Sequence, residues 1–394
     1  MNERRKVLMT ASAVALATGF AQAPVFAQDA PLRIGFSMAK TGLYAKAAPS
    51  QLNAYELWRE EVNAAGGLDV GGKRRKVEFV QFDDQSNGAQ AAKIYEKLIT
   101  QDKVDLLLAP WGTSIHLAIA PVIERYKFPM IGNTAASVKL RELKAKNIWF
   151  VTAAFPDRIA TELAAVLKQD GVKSVALLTN VLPFSKEIKQ FLEPALKSAG
   201  IEIKVNEEYP PDIKDMTAVL AKVKQAKVGS VLSLSYPDDS VLYVRQAKEQ
   251  GIDAPFQLVA IGPAMDFFPK VLGDSVNNIV TIGHWAPGRN DQAKAFYAAY
   301  QKRWNEKPDF LDSIESYVSC QILQQAVAKA GLDKDKLRDT ISKGTFQTIN
   351  GPIAFDGVEN KTTKTGFLQM QDGEQQMIWP ADGATGKFRP KKTW

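Results

Sequence analysis

Apolar and polar positions along the chain alternate between a pattern typical of β-strands and a pattern typical of α-helices. Short runs of strand-forming residues are separated by longer segments in which apolar residues recur at helical spacing. One helix is predicted over residues 48–65, and it ends at Gly66 and Gly67, because glycine readily adopts the left-handed conformation of a helix end. Strands that alternate with helices in this way predict βαβ units around a parallel sheet.

The alternation covers most of the chain and restarts once, near residues 147–154. The predicted strands are Leu32–Ser37, Lys76–Phe82, Val104–Ala109, Phe128–Ile131, Ser174–Thr179, Glu202–Glu207, Gly229–Ser233, Phe256–Ala260 and Asn278–Thr281. The predicted helices are Ala48–Ala65, Ala89–Thr100, Ser114–Tyr126, Phe184–Ser198, Met216–Ala226, Asp239–Gln250, Asp291–Asn305 and Ile314–Ala330. Since 394 residues exceed what one hydrophobic core usually serves, we expect two α/β lobes. The short strand-like pieces after residue 345 can return to both lobes.

Residues 1–27 have the pattern of a cleaved export signal. Arg4, Arg5 and Lys6 precede an apolar stretch at 7–20, and small residues form a cleavage site before Gln28. The stretch is too short for a membrane span, and both the twin-arginine route and the general secretory route are open. No cysteine follows the leader, which argues against a lipid-anchored form. We therefore expect an exported, soluble protein in the periplasm.

The composition argues against most kinds of catalytic or metal site. One cysteine and two histidines, His116 and His284, cannot build a disulfide framework or a structural zinc site. The chain has no glycine fingerprint for a dinucleotide and no nucleophile elbow, so we expect neither a cofactor nor an enzyme. An exported α/β hydrolase is the remote alternative. The net charge is +7, but the densest basic run, 73–76, is interpreted as a solvated turn, so no nucleic-acid partner is expected.

Three loops have the composition of a carboxylate site. In open parallel sheets, ligands bind beyond the carboxyl ends of the strands, where loops lead into helix N-termini. Residues 37–45, 111–114 and 132–137 fall at such ends and are rich in small and hydroxyl residues. Free N–H groups and hydroxyls suit a carboxylate, although ordinary N-capping by Ser114 and Ser137 explains the same residues equally well.

Six aromatic residues fall at predicted strand-end loops instead of along helix faces. They are Tyr44, Trp111, Phe155, Phe184, Tyr236 and Trp285. Aromatic side chains at such positions commonly line pockets for small molecules. We expect about half of the six to contact a ligand and the others to seal the hinge or the core.

Several segments together resemble the periplasmic solute-binding proteins of the leucine/isoleucine/valine type. These segments are LRIGFSMAKTG, VNAAGGL, KVEFVQFDDQSN, LLLAPWGTS, FPMIGNTAAS and VRQAKEQGIDAPF. The resemblance covers residues 31–380 and implies the type I periplasmic-binding-protein fold, an α/β fold with two Rossmann-like lobes, central parallel sheets and a three-crossover hinge. It implies a first lobe of 28–149 plus about 283–357, and a second lobe of 150–282 plus about 358–394.

The same resemblance implies a receptor that closes over a small-molecule carboxylate between its lobes. The implied partners are an inner-membrane ABC permease and its cytoplasmic ATPase, and the receptor itself is expected to be a monomer. By motif position, the carboxylate clamp corresponds to Gly112, Thr113, Ser114, Thr134, Ala135 and Ala136. The side-chain pocket corresponds to the loops near Tyr44, Phe184 and Tyr236.

The expected ligand depends on an ammonium site that the resemblance places at two positions. The first is Asp157, or Arg158 if the register slips by one residue. The second follows Gly262 and Pro263, where this chain has Ala264. Burying an ammonium group without its carboxylate costs several kcal/mol.

This departure favours an aromatic acid of the benzoate, phenylacetate or phenylpropenoid type. Trp111, Phe184 and Trp285 are expected to stack on its ring, with Arg158 as a charge partner. An aliphatic or branched-chain amino acid remains the alternative.

Overall fold

The computed structural model describes residues 30–309, 311–392 and 394. The predicted export signal at 1–27 lies outside the described residues. Within the described ranges, no helix is both long enough and apolar enough to cross a membrane.

Helices and strands alternate as the sequence pattern predicts. The helices are α1 (Ala48–Ala64), α2 (Gly88–Thr100), α3 (Thr113–Tyr126), α4 (Val138–Glu142), α5 (Pro156–Gln169), α6 (Pro183–Ser198), α7 (Thr217–Ala226), α8 (Pro237–Gln250), α9 (Phe267–Leu272), α10 (Asp291–Trp304), α11 (Asp312–Ala330) and α12 (Lys334–Lys343). The strands are β1 (Leu32–Met38), β2 (Leu68–Val70), β3 (Lys73–Arg75), β4 (Val77–Asp83), β5 (Leu106–Leu107), β6 (Met130–Gly132), β7 (Ile148–Phe150), β8 (Ser174–Asn180), β9 (Glu202–Tyr209), β10 (Ser230–Leu234), β11 (Phe256–Val259), β12 (Val280–Ile282), β13 (Thr345–Thr348), β14 (Gly351–Asp356), β15 (Glu359–Asn360), β16 (Phe367–Gln371) and β17 (Glu374–Trp379).

The first lobe is built on parallel strands from the N-terminal part of the chain. Strand β1 pairs in parallel with β4 and β5, and β6 pairs in parallel with β7. The sheet that contains β6 and β7 continues through β15, β14 and β13, with β15 parallel to β7. Residues Leu32, Ile34 and Phe36 of β1 are fully buried, because helices cover both faces of a parallel sheet.

The second lobe contains a seven-stranded sheet in the order β17-β16-β12-β11-β10-β8-β9. The five strands from β12 to β9 are parallel, and β16 and β17 add an antiparallel edge. Strands β13 to β15 thus join the first lobe and β16 and β17 join the second. The expected return of the C-terminal segment to both lobes is therefore seen in the strand pairing.

Within the described ranges, the chain passes between the two lobes three times, at 151–155, 283–286 and 361–366. These crossovers form the predicted three-crossover hinge, and the α/β architecture is confirmed. The exact lobe boundaries stay a prediction. By their pairing, β7 and β15 belong to the first sheet and reach past the predicted boundaries at 149 and 357.

The structure corrects the sequence pattern in several places. The strand predicted over 104–109 is reduced to β5, although Leu108 still donates its N–H to the Gly35 carbonyl of β1 at 3.0 Å. The run at 73–75 is a strand, paired with β2 in a small hairpin, and not a turn. Helices α4, α5, α9 and α12 were not predicted, although α5 buries Ile159, Leu163 and Leu167 at helical spacing.

Candidate functional site

A small cavity lies between the lobes, at the carboxyl ends of strands from both lobes. Ligands of open parallel sheets commonly bind at such strand ends. The lining residues are Trp111, Gly112, Thr113, Thr134, Ala135, Ala136, Thr152, Ala154, Phe184, Tyr236, Ile261, Leu311, Asp312 and Glu315. The cavity therefore brings together most of the predicted clamp and three of the six predicted aromatic residues.

The predicted clamp is made by two loops of the first lobe that brace each other. The Gly112 N–H donates to Thr134 Oγ1 at 3.2 Å, and the Ala136 N–H donates to Thr113 Oγ1 at 3.3 Å. Both are long hydrogen bonds between neutral groups. A carboxylate would make shorter, charge-assisted bonds to the same N–H groups, of which that of Gly112 lies at the N-terminus of α3. The N–H groups of Gly112 and Ala136 can therefore donate to a ligand in place of the threonine hydroxyls.

A buried polar network holds the clamp loops from behind. Gln51 of α1 donates from Nε2 to the carbonyls of Ala109 and Pro110, each at 3.1 Å. The same Nε2 lies 2.9 Å from Asn133 Oδ1, and Asn133 Nδ2 donates to Tyr55 Oη at 2.6 Å. Because these buried amides hold both loops at once, the clamp geometry is set by the packing of α1.

His116 has a supporting position in the first turn of α3. Its Nδ1 lies 2.9 Å from the Gly112 carbonyl, and the side chain is fully buried. Burial lowers the pKa of His116 to about 4, so the ring is neutral near pH 7. The sequence-based interpretation of His116 as a packing or hydrogen-bonding residue agrees with this position.

Aromatic rings form one wall of the cavity and continue behind it. The ring centroids of Tyr44 and Trp111 are 4.9 Å apart, and Tyr44 stacks on Tyr236 of the other lobe at 6.2 Å. Tyr44 and Ser114 do not line the cavity; they lie one layer behind it, with Tyr44 Oη donating to Ser114 Oγ at 3.2 Å. Phe184 lines the cavity from the second lobe.

Two buried acids at the start of α11 line the cavity, and the sequence analysis did not select them. Trp111 Nε1 donates to Asp312 Oδ2 at 2.7 Å, which fixes the indole ring against the wall. Burial raises the pKa of Asp312 well above its ordinary value, and the charge of Asp309 adds to this. Burial likewise raises the pKa of Glu315, and the Thr152 hydroxyl opposes this only in part.

Four predicted site residues lie away from the cavity. Asp157 and Arg158 stand in an ion-pair cluster at the hinge, where Arg141 contacts both Asp157 and Glu359. The Arg158 guanidinium is 2.9 Å from Glu359 and is not aimed into the cleft. The sequence prediction did not anticipate Glu359 of β15, which lies far along the chain and pairs with Arg158 in the structure.

The other two displaced residues are Ala264 and Trp285. Ala264 lies in a short 3-10 helix at Gly262–Ala264 and lines a separate cavity with Asp266 and Lys270. Trp285 is fully buried in the core, with its ring edge-on to Phe296 at 6.0 Å. Phe155 is also fully buried, so it seals the hinge as expected for part of the aromatic set.

The lobes touch directly beside the cavity. Glu187 of α6 accepts from Ser137 Oγ at 2.6 Å and from the Val138 N–H at 2.9 Å, which caps the start of α4 in the first lobe. Farther out, Lys46 pairs with Asp238 at 2.5 Å on the exposed rim. Together with the contact between Tyr44 and Tyr236, these bonds hold the lobes in a closed arrangement.

Two α/β lobes, three crossovers and a cleft lined by backbone N–H groups and hydroxyls are features of two-lobe binding proteins. The chain belongs to the periplasmic binding protein family, whose model matches residues 31–375. It is a solute-binding receptor of the type that serves ABC transporters. The resemblance inferred from the sequence is thereby confirmed.

Known proteins with this fold match over nearly the whole chain. A Leu/Ile/Val-binding protein homolog from Brucella melitensis is 23% identical over 411 residues, covering 98% of this chain and 99% of its own length. The structure of LivJ from Streptococcus pneumoniae, in complex with isoleucine, has a TM-score of 0.79 at 23% identity, covering 89% of this chain and 100% of its own. A solute-binding protein from Rhodopseudomonas palustris, in complex with 3,4-dihydroxy benzoic acid, has a TM-score of 0.76 at 21% identity, covering 92% and 98%.

Removing the Thr134 hydroxyl tests the clamp. We expect Thr134→Ala to weaken ligand binding by about 1–3 kcal/mol, the range for losing a hydrogen bond to a charged group. Ser114→Ala should have a smaller effect, since Ser114 lies one layer behind the cavity. Isothermal titration of both variants with the same ligand measures the difference. Unchanged affinity in both variants would remove the carboxylate site from these loops.

Proposed function

We propose that this protein is an exported, monomeric receptor that captures a small organic carboxylate and delivers it to an inner-membrane ABC permease with a cytoplasmic ATPase. The favoured ligand is an aromatic acid of the benzoate, phenylacetate or phenylpropenoid type. One observation carries this proposal: the carboxylate clamp and the aromatic wall line the same small cavity. The periplasm is the proposed site of action, on the basis of the leader at 1–27.

The aromatic wall supports a planar ligand. Trp111 and Tyr236 present rings from opposite lobes, with centroids 6.4 Å apart and an interplanar angle of 67°. Phe184 adds a third aromatic surface, so a ring bound at the clamp would contact apolar faces from both lobes. The Rhodopseudomonas palustris neighbour, solved with 3,4-dihydroxy benzoic acid, supports the same ligand class by analogy of fold.

A branched-chain or other aliphatic amino acid is the second candidate. Asp312 and Glu315 provide the buried carboxylates that position 264 lacks, so an ammonium group has two possible partners in the cavity. The names of the Brucella melitensis relative and the isoleucine complex of the Streptococcus pneumoniae protein support this candidate. The aromatic wall is what favours the aromatic acid over it.

A thermal-shift screen of ligand-stripped protein distinguishes the two candidates. The panel holds the common amino acids beside benzoates, phenylacetates and cinnamates. A ligand that binds only the native state stabilises it by about 4 kcal/mol at a concentration roughly a thousandfold above Kd. We expect the aromatic acids to raise the melting temperature and leucine and valine to leave it unchanged.

Two outcomes of the thermal-shift screen would contradict the ligand assignment. A shift with leucine, isoleucine or valine and none with the aromatic acids would assign the receptor to amino acids. If no carboxylate in the panel shifts the melt, the clamp assignment fails as well.

A further inference from the structure

The polar lining of the cavity is divided between two chemically opposite surfaces. The clamp side offers backbone N–H groups and hydroxyls at Gly112, Thr113 and Thr134. The start of α11 offers two carboxyl groups, Asp312 and Glu315, one helical turn apart. A ligand carboxylate would find N–H donors at the first surface, and the carboxyl oxygens of the second would accept from a ligand hydroxyl.

We propose that Asp312 and Glu315 form an acidic wall that selects ligands carrying a hydroxyl group on the ring. This inference rests on the proposed function, because it specifies the aromatic acid that the cleft accepts. The carboxylate binds at the clamp, the ring lies against Trp111 and Tyr236, and the hydroxyl donates to the acidic wall.

The hydrogen bonding of Glu315 supports the acidic wall separately from the presence of two acids in the lining. Its side chain is 3% exposed and lines the cavity, yet within the described ranges its Oε1 accepts no hydrogen bond. His284 Nε2 lies 3.3 Å from this oxygen, without the alignment of a hydrogen bond. A buried acceptor without a hydrogen-bond donor costs about 1–3 kcal/mol, and a ligand hydroxyl would remove that cost.

Asp312 and Glu315 have different hydrogen-bond partners in this wall. Asp312 Oδ2 is already engaged by Trp111 Nε1 at 2.7 Å, so Asp312 also positions the indole. Asp309 does not line the cavity; its Oδ1 accepts from the N–H groups of Leu311 and Ser313 and so holds the start of α11. Glu315 is therefore the acid whose replacement disturbs the fold least while changing the wall.

A hydroxyl is favoured over an ammonium group by the rest of the lining. Burial favours the neutral form of both acids, and a neutral or singly charged pair suits a neutral donor. Three aromatic side chains, Trp111, Phe184 and Tyr236, line the same cavity. A ring hydroxyl reaches the wall from a planar ligand, while the carboxylate keeps its place at the clamp.

The test titrates the mature protein with benzoate, 3-hydroxybenzoate, 4-hydroxybenzoate and 3,4-dihydroxybenzoate. In the unmodified protein, we expect at least one hydroxylated acid to bind about tenfold or more tightly than benzoate, the scale on which a buried acceptor gains from a donor. In Glu315→Leu, which removes the acceptor, that advantage should shrink by about tenfold while benzoate binds as before, because benzoate has no hydroxyl to donate to position 315. Benzoate thus serves as the matched control ligand.

Other outcomes overturn the inference in distinguishable ways. Equal binding of benzoate and all hydroxybenzoates by the unmodified protein refutes the acidic wall and leaves the proposed function intact. If no benzoate binds but an amino acid does, and Glu315→Leu weakens it, both the hydroxyl assignment and the aromatic ligand are wrong. If Glu315→Leu does not fold, the comparison of the four acids on the unmodified protein still decides.

Discussion

Trp111→Ala should weaken ligand binding by at least about 2 kcal/mol, the scale of a buried aromatic hot spot. The indole forms the cavity wall beside the clamp, packs on Tyr44 at 4.9 Å and is nearly fully buried. Its Nε1 is also the donor to Asp312 Oδ2, so truncation leaves a buried carboxyl group without that partner. Isothermal titration with the best ligand from the thermal-shift screen measures the loss.

The conservative variant Trp111→Phe separates the two contributions. It keeps an aromatic face in the wall but removes the donor to Asp312. If stacking dominates, Trp111→Phe should recover most of the affinity that Trp111→Ala loses. Melting curves of the ligand-free variants check that both are folded. Affinity unchanged in Trp111→Ala would mean that the ligand does not contact this wall.

The fold could be predicted because its signals are local. Strand and helix periods, together with glycine at helix ends, mark most elements within a few residues of their observed bounds. Helix α5 was missed because the crossover at 151–155 looked like a restart of the pattern, and Pro156 marks the start of the helix. The clamp loops could also be predicted, because the carboxyl ends of parallel strands are where loops meet helix N-termini.

The acidic wall could not be predicted because its position depends on the second crossover. Asp312 and Glu315 begin α11, which returns to the first lobe after residues 283–286, and only then does Asp312 meet Trp111. From sequence alone, acids at a helix start are typical capping residues. Arg158 was misassigned for the same reason, since Glu359 reaches it only when β15 pairs with β7.

Glu187→Ala should weaken ligand binding by about a hundredfold or more without altering the clamp or the aromatic wall. The buried Glu187 carboxylate accepts two hydrogen bonds across the cleft, from Ser137 and Val138. Each hydrogen bond to a charged group is worth about 1.5–3 kcal/mol, and both form only when the lobes are together. A ligand must then supply more of the free energy of closure, so its apparent affinity falls.

Small-angle X-ray scattering with and without ligand reports on closure directly. At a ligand concentration that closes the unmodified protein, Glu187→Ala should keep the larger radius of gyration of the open form. The start of α4 stays capped in the variant, because Ser137 Oγ also accepts from the Lys139 N–H at 3.2 Å.

The matched control is Asp238→Asn, which breaks a charged contact between the lobes on the exposed rim. Lys46 and Asp238 pair on the rim with side chains 65% and 53% exposed, where water screens their attraction. Exposed pairs of this kind contribute about 0–1 kcal/mol, so Asp238→Asn should bind nearly as the unmodified protein does. Equal losses of affinity in Glu187→Ala and Asp238→Asn would show that buried and exposed contacts between the lobes contribute equally to closure. Wild-type affinity in Glu187→Ala would show that closure does not depend on this buried carboxylate.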